Sequence, residues 1–427
     1  MNTIWSTGRL GDVCRVVPGY AFKSSDWQKA GIPVVKIKNI TSDNQVELGS
    51  YDCVAKSLIT PKLRKFFIAN RDILIAMTGA TAGKVGRVRS DQPLLLNQRV
   101  AKIVPAEADS DFIWAIVSSD EYQARFFCLA DGAAQPNMSG SQIENIEIPL
   151  PPLPIQRRIA GILSAYDDLI ENSQRRIKIL EEMARRLYRE WFVHFRFPGH
   201  EDCRFVDSPL GEIPEGWEVC LFTEIANVLS GGTPKTEVRD YWNGAIPFFT
   251  PRDAPDCFYV QDTDKHVTEL GLSKCASELY PPDTVFITAR GTVGKVALPS
   301  VPMAMNQSCY ALRGKAGILQ RFLFLMTLQQ VDYLKKNTGG ATFDTIVVDT
   351  FRHMQVVKPS SDLIATFAEI ADPVFDQVNT CQRQIINLHR TRDLLLPRLL
   401  SGQIDIETLP DPSATANFLP EAADSLS

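Results

Sequence analysis

The chain repeats itself, and that repeat limits what it can fold into more than any single motif does. Ile32-Pro33 returns as Ile246-Pro247, TAGKV at Thr81–Val85 as TVGKV at Thr292–Val296, Asn97-Gln98 as Asn306-Gln307, and Gly132-Ala133 as Gly340-Ala341. Each pair lies about 210 residues apart, with a slow drift of the kind that small loop deletions produce. Order and spacing agree too well for accident, so two copies of one unit lie in tandem.

Each copy ends in a long helical stretch. From Ile155 to Phe195 only the early Gly161 and the β-branched Val193 weaken a helix. Ile159, Ile162, Tyr166 and Leu169 form an apolar stripe. It then steps to Ile170, Ser173, Ile177, Leu180, Ala184, Leu187 and Trp191 with the three-and-four spacing of a coiled coil. About 38 residues of helix would be about 57 Å long, too long for the core of one ordinary domain. The reading is a spacer; the plainer one is a surface helix on a single large domain. Between Pro359 and Leu400 a second seam runs through Phe367, Ile370, Val374, Val378, Cys381, Ile385, Leu388, Leu395 and Leu399, with Arg392 on it. Pro373 is expected to mark a kink or a first turn there, and Pro397 to end or bend the helix.

The short apolar runs IPVVKIKNI from Ile32, DILIAMTGA from Asp72, LLLNQRVAKIVP from Leu94 and ENIEIPLPP from Glu144 read as strands, and DFIWAIVSSDEYQARFFCLA from Asp111 as helix. The fold class is therefore mixed α/β: two pseudo-twofold-related domains separated by two long antiparallel coiled-coil helices. The expected division is domain 1 over 1–150, a central spacer helix over 151–196, a linker over 197–215, domain 2 over 216–358, a C-terminal spacer helix over 359–403 and an acidic disordered tail over 404–427. Two DNA-reading domains so spaced would stand about one and a half helical turns of DNA apart, at roughly 34–36 Å per turn, and the geometry equally suits any protein that must present two surfaces at a fixed distance.

Of the 427 residues, 44% are hydrophobic and 22% charged, as in a soluble globular protein. No apolar run could span a bilayer and the N-terminus does not resemble a signal peptide, so the expected location is the cytoplasm. Nine scattered cysteines without a C-x-x-C pair point to reduced thiols. The formal charge is −5, and Asp405, Glu407, Asp411, Glu421 and Asp424 in the tail account for all of it. A neutral body would need help to hold DNA firmly.

Catalytic signatures are missing. Gly79 to Val85 resembles a phosphate loop, but it is one residue short between its glycines and has Val85 where a magnesium-binding hydroxyl is needed. A turn between strands is the better reading. The tetrapeptide of amino-methyltransferases, a Gly-x-Ser-x-Gly motif and metal-ligand histidine spacing are all lacking.

The run PLPPLPIQRRIAGILSAYDDLIENSQRRIKILEEMARRLYREWFVHF from Pro149 resembles the central region of type I restriction–modification specificity subunits. LSGGTPKTEVRDYWNGAIPFFTPRD at Leu229–Asp253, LYPPDTVFITARGTVGKVAL at Leu279–Leu298 and the Asn306-Gln307 pair are similar to one type of their target recognition domains. PLGEIPEGWEV at Pro209–Val219 is like the phrase that opens the second domain. The resemblance covers about residues 8 to 403, and its motifs are specific in combination.

It implies a non-catalytic DNA-recognition subunit, with each domain reading half of a bipartite target and the helices as the ruler between them. Two modification subunits that bind S-adenosylmethionine would methylate adenine. Restriction subunits using ATP and Mg2+ would cut unmethylated DNA; this chain would hold no cofactor. Residue type and loop position make Lys36, Lys38, Asn39, Thr78, Lys84, Gln98, Arg99, Gln135 and Asn137 the DNA-contact candidates of the first domain. Those of the second are Arg252, Asp253, Arg290, Lys295, Asn306 and Gln307. Each could equally be a solvated turn residue or a strand-end cap. Arg175, Arg176, Arg185, Arg186, Tyr188, Trp191 and Phe192 are the partner-binding candidates, against a solvated helix face for the arginines and packing on the second domain for the aromatics. The alternatives to this function are a recognition subunit of a methyltransferase-only or other phage-defence system, and a two-domain protein-binding scaffold.

Overall fold

The computed structural model of the protein describes residues 5–41, 44–49, 51–130, 137–315, 317–337, 345–401, 403–404 and 406. The chain divides into two compact units, Met1–Leu169 with Leu388–Ser427, and Ile170–Asn387. Both are mixed α/β and follow one plan.

In the first unit the runs read as strands become strands because they are apolar without interruption. Ile32–Val35, Ile73–Ala76 and Leu94–Leu96 are buried at every position, as strands covered on both faces require. Cys14–Pro18, Val100–Pro105, Ile73–Ala76 and Val85–Arg87 form an antiparallel sheet in that order. Ile32–Val35 runs parallel to Leu94–Leu96 in a second sheet. The expected run from Leu94 breaks at Asn97, where the chain turns from one sheet into the other. Helices Ser110–Val117 and Asp120–Ala130 follow.

The second unit repeats the plan. Ala226–Ser230, Cys309–Gly314, Val285–Thr288 and Val296–Pro299 lie in the same antiparallel order, and Trp242–Phe249 pairs in parallel with Ala304–Met305. In each unit an early strand pairs with the strand that leads into the long helix: Thr7–Arg9 with Glu147–Pro149, and Glu218–Leu221 with Gln355–Lys358.

The long helices span Leu153–Tyr188 and Ser361–Leu400. Neither is a separate body, because each contributes one end to each unit's core. In the first unit Ile159, Ala160 and Leu163 share a core with Leu396, Leu399 and Leu400. In the second, Ile177, Ala184 and Trp191 pack with Phe367, Ala371, Phe375, Val378 and Cys381. The first helix ends in a single wide turn over Arg189–Val193, closed by Phe195 in the left-handed region at φ 59°.

Several expectations need correction. Leu169 and Ile370, placed on the seams by spacing, are exposed. The buried stripe of the first helix does not step at Leu169. It runs through Leu163, Ile170, Ser173, Ile177, Glu181 and Ala184, with Asp167 half-buried on the same line, so two of its positions are carboxylates that an apolar spacing does not reveal. Pro373 is no first turn, since the helix runs through it, and Pro397 lies within the last turn. The stretch expected to be a linker carries a hairpin, Phe205–Ser208 with Gly211–Pro214, and its Ile213 is buried in the second core. Ile404 and Ile406, placed in the expected tail, pack on the first core. Residues 407–427, Gln135, Gly132-Ala133 and Gly340-Ala341 lie outside the described residues. Among the described residues no helix is long and apolar enough to cross a membrane.

Candidate nucleic-acid interface

In each unit the loops at one end of the paired sheets converge, held by backbone hydrogen bonds that correspond one to one. The Asn97 N–H donates to the Val35 carbonyl at 3.0 Å, and the Asn306 N–H to Phe249 at 2.9 Å. Met77 N–H donates to Arg99 carbonyl and Ala289 N–H to Ser308 carbonyl, at 2.9 and 2.8 Å. Met138 N–H to Met77 and Ile346 N–H to Ala289 complete the frame at 2.8 and 3.0 Å. A glycine lets one more loop approach: a Cβ on Gly19 would collide with the carbonyl of Asn97, and one on Gly231 with that of Asn306.

The TAGKV and TVGKV segments lie in these clusters as turns. Lys84 and Lys295 each follow a glycine with positive φ, Gly83 and Gly294. A strand comes next, not the helix that a phosphate loop needs.

The candidate residues separate into three groups. Lys36, Lys38 and Lys295 are engaged: Asp52 takes Lys36 at 2.8 Å and Lys38 at 3.3 Å, and Asp256 takes Lys295 at 2.5 Å. Lys36 also lies 3.4 Å from the centre of the Trp27 ring. The Lys36 hydrogen bond, with Lys38, holds the Asp52 carboxyl below the usual carboxylate range.

The second group is engaged within its own loops. Asn39 is buried; its amide donates to Glu47 carbonyl at 2.9 Å and accepts the Lys36 N–H at 3.0 Å. Asp253 accepts the Thr250 and Asp264 N–H groups at 2.8 and 2.9 Å. Asn306 accepts the Ser308 N–H at 3.1 Å, as Asn97 does that of Arg99 at 3.3 Å. The Thr78 hydroxyl is buried without a partner. Asn39, Asp253 and Asn306 are short polar side chains closing turns, the role that competes with ligand contact in any such residue.

The third group is presented outward. Gln98, Arg99, Asn137, Arg252, Arg290 and Gln307 are exposed, and Lys84 is half-buried. Arg99, Arg252, Arg290 and Lys84 form no side-chain hydrogen bond or ion pair among the described residues. The sequence reading missed Tyr20 and Thr233. Tyr20 carbonyl accepts the Gln98 N–H at 2.9 Å, and the Thr233 hydroxyl hydrogen-bonds Gln307. The repeated glycines that follow strands, in PGYAF and SGGTP, were the available signal.

The type I restriction modification DNA specificity domain matches the chain twice, over residues 2–182 and 214–388. The chain belongs to this family. The specificity subunit of the type I restriction enzyme MjaIX from Methanocaldococcus jannaschii is 24% identical over 95% of this chain and 94% of its own length. That of HindI from Haemophilus influenzae is 21% identical over 69% and 77%. The crystal structure of an S subunit from M. genitalium shares the fold, with a TM-score of 0.54 and 17% identity over 93% of this chain and 96% of that one.

On the surface of the first long helix the candidates divide. Arg175, Arg176 and Arg186 are exposed, two of them in ion pairs one turn apart, Arg175 with Glu171 and Arg186 with Glu182. Arg185 lies over the Phe258 ring at 4.7 Å and pairs with buried Glu181 at 3.2 Å. Tyr188, Trp191 and Phe192 are buried against Phe322, Phe367 and Trp217. They hold the helix to its own unit, the packing on the second domain weighed for them in the sequence.

Proposed function

We propose that this specificity subunit reads a bipartite duplex-DNA target, one half with each loop cluster, and carries out no catalysis itself. In this reading two methyltransferase subunits that bind S-adenosylmethionine dock beside the loops and on the helices and modify adenine. Restriction subunits using ATP and Mg2+ cut DNA that lacks the mark, and the complex works in the cytoplasm. The observation that carries the proposal is the duplicated loop frame with outward Gln98, Arg99, Arg252, Arg290 and Gln307. Forked and amide side chains are those that match base edges in the major groove. A formal charge of −5 supports a shared grip, since this chain alone lacks the cation excess that holds DNA at physiological salt.

The test is DNA binding by the purified chain with and without a methyltransferase subunit of a type I system that assembles with it. Tight, sequence-selective binding that weakens steeply with salt and needs the methyltransferase supports the reading. A stable complex that binds all sequences alike would sink it and favour a scaffold of protein-binding domains.

A further inference from the structure

One backbone hydrogen bond is common to both loop frames, and an arginine sits on opposite sides of it. In the first unit the acceptor residue of the Met77–Arg99 bond is the arginine, and the residue after the donor is Thr78. In the second unit the acceptor is Ser308, and the residue after the donor Ala289 is Arg290. Lys36 and Lys295 are neutralised by Asp52 and Asp256, whereas Arg99 and Arg290 are exposed and, like the half-buried Lys84, make no side-chain hydrogen bond or ion pair among the described residues. Thr78, at the Arg290 position, buries its hydroxyl and cannot replace the fork. Beside each arginine's place stands an exposed glutamine, Gln98 or Gln307. A planar guanidinium donates two parallel hydrogen bonds, which fit guanine O6 and N7; a lysine supplies only a point charge.

We infer that Arg99 reads a guanine in the half-site of the first domain and Arg290 a guanine in that of the second. Because the two arginines stand on opposite sides of an equivalent frame, the two guanines occupy different steps of their half-sites. The inference rests on the bipartite-reading function proposed above.

The experiment compares wild type, Arg99→Ala, Arg290→Ala and Arg290→Lys, each assembled with that methyltransferase subunit and offered duplexes randomised in both half-sites. Arg290→Ala should relax the preference for one G·C pair in one half by about tenfold or more and leave the other half intact. Arg99→Ala should do the same in the other half. Arg290→Lys should hold DNA more tightly than the alanine variant without restoring the base preference. Both side chains are exposed, so unchanged melting temperatures are expected and serve as the folding check; the lysine variant carries the test if the alanine variant assembles poorly. Uniformly weaker binding with every base preference intact would make Arg290 a phosphate contact and overturn the inference. So would a wild-type half-site that contains no G·C pair. Absence of any split preference in wild type would instead remove the function itself, so the two failures are distinguishable.

Discussion

Asn39 and Arg99 are both polar loop residues of the first domain, yet one is built inward and the other faces water. Asn39→Ala strands a buried N–H and carbonyl and should cost about 1–3 kcal/mol in a denaturant titration, while Arg99→Ala should change stability by less than about 0.5 kcal/mol. Equal losses would contradict this division. Residue type was legible in the sequence but direction was not, because Asn39, Asp253 and Asn306 satisfy turn N–H groups that only the folded loop brings near. Glu181 makes a separate case. Burial pushes its carboxyl up, against the Phe258 N–H at 2.6 Å and Arg185, and the net direction is upward. The folded state therefore holds this proton more firmly than the unfolded chain. Its contribution favours folding as pH falls from the raised value toward the ordinary 4.5, and that gain is lost as pH rises through the raised value. Glu181→Gln keeps an acceptor for Phe258 and removes the titration. Melting temperatures at pH 5 and pH 7 should lie closer together than in wild type, and an unchanged gap would refute the assignment.

At the scale of elements, the long helices were legible from their spacing, but their seams were not wholly so. Asp167 lies on the buried stripe, where it accepts the Trp114 ring N–H and an Arg392 N–H, both at 2.8 Å. A search for apolar residues cannot find such a place, since its burial depends on partners 53 and 225 residues away in sequence. Asp167→Ala removes the acceptor of the Trp114 indole N–H and one of two carboxylates on the half-buried Arg392, which keeps Asp393, and should cost about 1–3 kcal/mol in chemical denaturation; a cost below about 0.5 kcal/mol would show the pair to be peripheral. Strands were found where apolar runs were continuous. The hairpin after Phe205 was not, because its strands are exposed at most positions and the Pro and Gly around them read as a linker. The helix as ruler has its own test. Four residues inserted near Ser173 should lengthen the unread gap in the target and leave both half-sites unchanged; altered half-sites would contradict a spacer role.

For the whole molecule the repeat did most of the work, because two copies of one sequence pattern must fill two equivalent cores. The matching strand orders and the matching hydrogen bonds at Asn97 and Asn306 follow from it. Target bases remained illegible because loop side chains carry no residue-to-base code and the frame alone is common to both domains. The account turns on one claim, that this chain confers a split sequence preference on a methyltransferase. The direct measurement is genome-wide adenine methylation in a host lacking the gene, with that methyltransferase subunit expressed alone or together with this chain. A motif of two defined halves around a fixed unread gap, present only with this chain, is the predicted result. Methylation that is absent, or spread without a motif, in cells that contain the assembled complex would contradict it.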